Sequence, residues 1–231
     1  MNFEKVIIAL DFSSEREAFR IVEELGEDIG FYKVGLELFC SCGPSIVKRL
    51  KDLGKKVFLD LKFHDIPNTV SRALNVCLQY DIDMLTLHGF GGEQMLRVSA
   101  KMKREVVKMS ASTKLIAVTV LTSLDEKDLY NLGINISVHE IVKRLSSLAK
   151  DCGLDGVVSS ARELPIIKEI CGRDFLVVTP GIRSSEDLAY DQKRVVSARE
   201  ALTMGADYLV IGRAVTSSPS PRNSLRRIFT S

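Results

Sequence analysis

The chain has 231 residues, 45% hydrophobic and 27% charged, with 15 Gly and 6 Pro, a balance that excludes disordered and fibrous architectures and supports a core without disulfides or a structural metal. Lys and Arg number 32 against 30 Asp and Glu, so a net charge of +2 gives no footprint for nucleic acid or an anionic membrane surface. No apolar run approaches the roughly 18 residues of a membrane helix, and five cysteines without a C-x-x-C pair, behind an N-terminus that runs quickly into charge, read as a reduced, cytosolic chain without a signal peptide.

Short runs rich in Val, Ile and Leu predict buried parallel strands in chain order: Val6 to Asp11, Tyr32 to Leu38, Lys56 to Phe63 and Met84 to Gly89. The second half continues with Lys114 to Leu121, Gly156 to Ser160, Phe175 to Gly181 and Asp207 to Arg213. Helical patterns lie between them. Ser14 with Glu17, Ser137 with Glu140, Ser160 with Glu163 and Ser197 with Glu200 fit the S-x-x-E capping box, and LKDLGKK, AKDCGLD and LTMGADY place a glycine between a helix and the next strand. Eight strand-helix alternations in a chain of this length predict an α/β fold, a single (β/α)₈ TIM barrel over residues 1–231, rather than a doubly wound sheet. Two connections are longer than a barrel needs, Thr122 to Ile136 and Arg183 to Val196; the second is polar and aperiodic, which suggests a lid at the catalytic face.

The third predicted strand ends in Asp60, Leu61, Lys62, Phe63, His64 and Asp65. Residues two apart on a strand share a face, so Asp60 and Lys62 project together near the C-terminal mouth of a barrel. Ionised groups rarely sit there without a partner or a task. Asp11 ends the first predicted strand and Lys33 lies in the second, so Asp11, Lys33, Asp60 and Lys62 on three neighbouring strands, with Asp65 just beyond, suggest an alternating array of carboxylates and ammonium groups; a structural salt bridge is the alternative. Carboxylates on both sides hold a lysine charged, which suits a proton donor and not a Schiff-base nucleophile. A substrate anion beside Asp60 is repelled until it departs as a neutral molecule, and Lys62 stabilises the carbanion left behind. Decarboxylation meets both conditions. On the opposite side, Pro180 and Gly181 end strand seven, Gly212 and Arg213 end strand eight and Arg183 opens the lid, the habitual phosphate region of this fold.

These motifs together resemble the orotidine 5'-phosphate decarboxylase family over essentially the whole chain: FLDLKFHDIPNT (Phe58 to Thr69) is close to a diagnostic signature, with IALD, YKVG, VLTS, VTPGIR, YDQKR and VIGR in matching order. The resemblance implies conversion of orotidine 5'-monophosphate to uridine 5'-monophosphate and CO₂, the last step of de novo pyrimidine synthesis, by a cytoplasmic TIM-barrel homodimer using no cofactor or metal. It implies that Asp11 and Lys33 contact the ribose, with Lys33 also extending the charge array, that Asp60 faces the substrate carboxyl and that Lys62 protonates C6. Asp65 and Thr69 match positions lent across the dimer interface to the neighbouring site. Thr122 and Ser123 match contacts to the pyrimidine, Gln192 a lid residue bridging base and phosphate, and Arg183, Gly212 and Arg213, near Pro180, the phosphate region.

Other polar residues have plainer readings. His64 suits a loop-supporting hydrogen bond, His88 packing at the barrel mouth, and His139 an amphipathic helix; three scattered histidines make no metal site. Cys40 and Cys42 share a face only if extended and read as reduced and structural. A magnesium-dependent sugar-phosphate decarboxylase of the 3-keto-L-gulonate 6-phosphate type shares the D-x-K-x-x-D spacing, but carries an acidic metal ligand where this chain has Lys33, whose charge would repel Mg²⁺. A silent nucleotide-binding barrel is the third reading, against which Asp60, Lys62 and Asp65 argue, since a pure binder gains nothing from a carboxylate held against an anion.

Overall fold

A computed structural model describes residues 3–106, 113–182 and 196–230. Each strand is followed by helix: β1 (Val6–Ala9) by α1 (Glu15–Leu25), β2 (Phe31–Gly35) by α2 (Leu36–Cys42) and α3 (Ser45–Asp52), β3 (Lys56–Phe63) by α4 (Pro67–Leu78), and β4 (Met84–His88) by α5 (Gly92–Val106). Then come β5 (Lys114–Val118) with α6 (Glu126–Asn131) and α7 (Val138–Asp151), β6 (Gly156–Val158) with α8 (Leu164–Cys171), β7 (Leu176–Thr179) with α9 (Ala198–Thr203), and β8 (Tyr208–Ile211) with α10 (Arg213–Thr216) and α11 (Pro221–Thr230). The strands close a barrel in the order β1 to β8, and parallel pairing of β1 with β8 completes the ring. This is the (β/α)₈ barrel that the alternation predicts.

Alternate residues of each strand face inward, and the others face the helices. Ile7, Phe31, Phe58, Met84, Ile116 and Val178 belong to an inner apolar cluster, separate from the larger one that includes Ile8, Tyr32, Leu59 and Leu85 between strands and helices. Phe31 and Tyr208 meet edge to face, with centroids 5.7 Å apart, inside the N-terminal half of the barrel. Two residues further along the inward face of the first four strands stand Ala9, Lys33, Asp60 and Thr86, so the filling turns polar toward the C-terminal mouth.

The N-terminal end is fastened by a device that recurs on alternate strands. Asp83, Asp155 and Asp207 each immediately precede an even-numbered strand, and one carboxylate oxygen accepts both from the second N–H of the preceding strand and from a lysine on the helix before that strand. The contacts are Val57 N at 2.9 Å with Lys51 Nζ at 2.8 Å, Leu115 N at 2.7 Å with Lys103 Nζ at 2.6 Å, and Val177 N and Lys168 Nζ at 2.7 Å each. Position 30, which precedes β2, holds glycine instead.

The sequence-based boundaries need three corrections. The run predicted as strand to Leu38 turns helical after Gly35, so Cys40 and Cys42 lie on α2, where a two-residue spacing does not share a face. Strands one, four, five, six, seven and eight stop one to three residues short of their predicted ends. Of the four expected capping boxes only Ser197 with Glu200 is complete; Ser137 accepts from Glu140 N, Ser160 accepts from Arg162 N, and Ser14 occupies its cap position without a side-chain bond. Asp125 with Asp128 forms a complete box that an S-x-x-E search misses.

Candidate active site

Three strand ends assemble the charge array. Lys33 Nζ on β2 lies 2.8 Å from Asp11 Oδ1, just past β1, and 3.6 Å from Asp60 Oδ2 on β3. Lys62 Nζ closes the series at 2.9 Å from Asp60 Oδ1. The chain therefore runs carboxylate, ammonium, carboxylate, ammonium. Lys33 and Asp60 are buried, Lys62 is partly open and Asp11 reaches solvent. Gly35 makes the first link possible, because a Cβ there would stand 2.8 Å from Lys33 Nζ and 3.1 Å from Asp11 Oδ1.

Asp60 is the electrostatic centre. Burial alone would raise its pKa, but Lys33 and Lys62 outweigh that effect with help from the hydrogen bonds of Lys62 and Thr86, and the net result lies below the ordinary carboxylate value. Asp60 is thus an anion that the protein keeps in a dry place, ready to act on another charge.

Simple alternation along β3 does not explain why Lys62 reaches Asp60. Leu59 pairs with Leu85 and Phe63 with Leu87, so four steps of β3 span two of β4, and Lys62 sits in this irregularity with φ +50°. The bend re-aims Lys62 toward the mouth. Thr86 on β4, fully buried, receives the Lys62 N–H at 2.9 Å and donates to Asp60 Oδ1 at 2.9 Å. Sequence reasoning passed over Thr86; its signal was a lone hydroxyl on the inward face of the apolar run MLTLH.

A second region joins the array. A cavity of about 200 Å³ is lined by Asp11 and Lys33 on one side and by Pro180, Gly181, Gly212 and Arg213 on the other. Gly181 adopts φ +78°, a left-handed turn open to glycine, where the chain leaves β7. The expected phosphate residues therefore share a wall with the expected ribose pair. Arg183 and Gln192, with most of the expected lid, lie outside the described residues. Thr122 and Ser123 occupy the turn after β5, and no hydrogen bond or ion pair of the array includes them. Asp65 and Thr69 are exposed beside Ile66, and Asp65 Oδ1 accepts from Ile66 N at 2.6 Å. All five cysteines are free; burial pushes the Cys77 thiol up to about 11, which suits a packing residue.

The profile described as Orotidine 5'-phosphate decarboxylase / HUMPS family matches residues 4–228. An orotidine 5'-phosphate decarboxylase of Carboxydothermus hydrogenoformans is 48% identical over 220 residues, covering 95% of this chain and 92% of that protein. One from Geobacter sulfurreducens is 44% identical, covering 98% and 95%. Among solved structures, orotidine 5'-phosphate decarboxylase from Lactobacillus acidophilus superimposes with a TM-score of 0.85 at 35% identity, covering 97% of each chain.

Proposed function

The chain belongs to the orotidine 5'-phosphate decarboxylase / HUMPS family, and on that premise we propose that its charge array decarboxylates orotidine 5'-monophosphate to uridine 5'-monophosphate and CO₂, the final step of pyrimidine biosynthesis. The observation that carries the reading is the unbroken series Asp11, Lys33, Asp60, Lys62, joined at 2.8, 3.6 and 2.9 Å. Asp11 and Lys33 hold the ribose, while Pro180, Gly212 and Arg213, with Arg183 and Gln192 from the lid, hold the phosphate. Thr122 and Ser123 meet the pyrimidine. This places the substrate carboxylate against Asp60, an anion held below the ordinary carboxylate pKa and therefore charged at neutral pH. Repulsion between the two disappears as the bond from C6 to the carboxyl carbon breaks and CO₂ leaves. The electron pair stays on C6, where the Lys62 ammonium first stabilises it and then supplies the proton; water reprotonates Lys62. Each step is balanced without a cofactor or metal, because the proton and the opposing charges come from side chains.

The whole chain, residues 1–231, acts in this reading as one catalytic barrel in the cytoplasm; among the described residues no helix is long and apolar enough to cross a membrane. The working unit is a homodimer in which Asp65 and Thr69 of each chain complete the other's site. Their exposure just past β3, beside Ile66 at 66% exposure, supports that arrangement. Magnesium-assisted chemistry on a sugar phosphate is disfavoured by the Lys33 ammonium, which occupies the space between Asp11 and Asp60.

The deciding assay follows loss of the orotidylate absorbance band with EDTA-treated protein. Metal-free decay is the expected result. Turnover of a sugar phosphate that depends on added metal, or binding of nucleotide without turnover, would overturn the reading.

A further inference from the structure

Thr86 engages two site residues through one hydroxyl. Oγ1 accepts from the main-chain N–H of Lys62 and donates to Asp60 Oδ1, each at 2.9 Å. The directions are fixed by chemistry: an amide N–H can only donate, an ionised carboxylate can only accept, and the hydroxyl has one proton to give. Asp60 Oδ1 also accepts from Lys62 Nζ at 2.9 Å, so hydroxyl, carboxylate and lysine close a ring. The ring sits where β3 departs from regular pairing, between the Leu59–Leu85 and Phe63–Leu87 partners. Lys62 has φ +50° there, a region that a non-glycine residue keeps only when its surroundings impose it. A side chain of β4, at the middle of the strand, thus receives the N–H of the bent residue.

We propose that Thr86 is a positioning residue for the decarboxylation, its hydroxyl setting the orientation of the Asp60 carboxylate and the main-chain bend at Lys62 relative to each other. The proposal rests on the functional reading above. Its consequence is that the repelling carboxylate and the proton-donating ammonium keep one separation as the substrate changes charge. Reorientation of either group would cost rate and not affinity, because ribose and phosphate are held from β1, β2, β7 and β8 while the Thr86 hydroxyl bonds the pair at the reacting carbon. A purely packing role for a buried threonine predicts otherwise: it is sensitive to the methyl group and indifferent to the hydroxyl.

Two substitutions separate the roles. Thr86→Val keeps volume and branching and removes the hydroxyl, whereas Thr86→Ser removes the methyl and keeps the hydroxyl. With orotidine 5'-monophosphate, kcat of Thr86→Val should fall by at least about tenfold and that of Thr86→Ser by less than about threefold, a split expected of a charge-assisted hydrogen bond acting in the transition state. KM and the affinity for uridine 5'-monophosphate should stay within about threefold of the parent in both. Melting temperature is measured alongside, since loss of the methyl should lower it without lowering kcat in proportion. If Thr86→Val does not fold, Thr86→Cys, with its weak donor and acceptor, takes its place under the same thresholds. The proposal is overturned if the hydroxyl-free variant loses less than tenfold in kcat, if serine loses as much, or if the loss appears in KM alone. A parent without decarboxylase activity would instead overturn the functional reading; an active parent with an unaffected valine variant removes only the role of Thr86.

Discussion

His88 ends β4 beside the charge array, where its ring stacks on His64 at 5.2 Å and on Phe90 at 5.6 Å. Its Nδ1 accepts from Phe90 N at 3.4 Å, which requires that nitrogen to be unprotonated. Burial first, and then the charges of His64 and Lys62, push its pKa below the ordinary histidine value of 6.5. A neutral, stacked ring fits the packing role expected from sequence and not that of a proton carrier. Because the unfolded chain takes up the proton before the folded one, stability associated with His88 is full above about pH 6.5 and is lost as pH falls through the lower folded value. Thermal melts of the parent and His88→Gln at pH 7.5 and pH 5.5 test this: the substituted chain should lose less melting temperature between the two than the parent. An equal or greater loss would show that other groups govern acid sensitivity. Asp60 carries the same sign, since a depressed carboxylate stabilises the fold above its unfolded value and ceases to do so only when pH falls through its lower folded value.

At the scale of elements, the fastenings at the N-terminal end account for how short strands hold a barrel together. β6 has only three residues, yet Asp155 at its entrance receives Leu115 N from β5 and Lys103 Nζ from α5, with Lys114 Nζ 3.6 Å from its other oxygen. Removing the carboxylate strands a partly buried lysine and a main-chain N–H, so Asp155→Ala should cost about 2–4 kcal/mol in urea unfolding. Since Asp155 lies at the opposite end of the strands from the array, kcat of the folded fraction should stay within about twofold of the parent. A loss below about 0.5 kcal/mol would mean that solvent replaces the bond and that the recurrence has no energetic role. The contrast with β3 is informative. There an irregular pairing is kept at the catalytic end of the strand, where Lys62 occupies a backbone region that costs free energy.

For the whole molecule, the proposed sharing of sites across a homodimer makes a prediction that no single chain can satisfy. On the proposed roles, Lys62→Ala removes the proton donor and Asp65→Ala removes a carboxylate lent to the partner's site, so each homodimer should be inactive. In a hybrid, one site then carries both defects and the other carries neither. Each hybrid dimer should recover about half the activity of a parental dimer if its sites act independently. Subunit exchange is confirmed by mass-tagged chains, and activity is read after mixing. Exchange without recovered activity would show that Asp65 acts within its own chain.

Sequence alone determined the barrel, because eight apolar strand runs alternating with helical patterns leave few ways to bury both faces of each strand. It also placed Asp11, Lys33, Asp60 and Lys62 in one site, since charges in otherwise buried strands need partners and neighbouring strands supply them. The aspartates at 83, 155 and 207, each just before a strand, were visible as letters, but their common purpose was not, because their bonds reach the preceding strand and the helix before it. The bend at Lys62 was hidden for a related reason: backbone conformation at an irregular pairing is decided by the neighbouring strand, not by the residue that bends. Only the tertiary structure could bring Thr86 within 2.9 Å of both Asp60 and the Lys62 main chain, residues 26 and 24 positions away, because a hydroxyl on an inward face acquires its partners when the barrel closes.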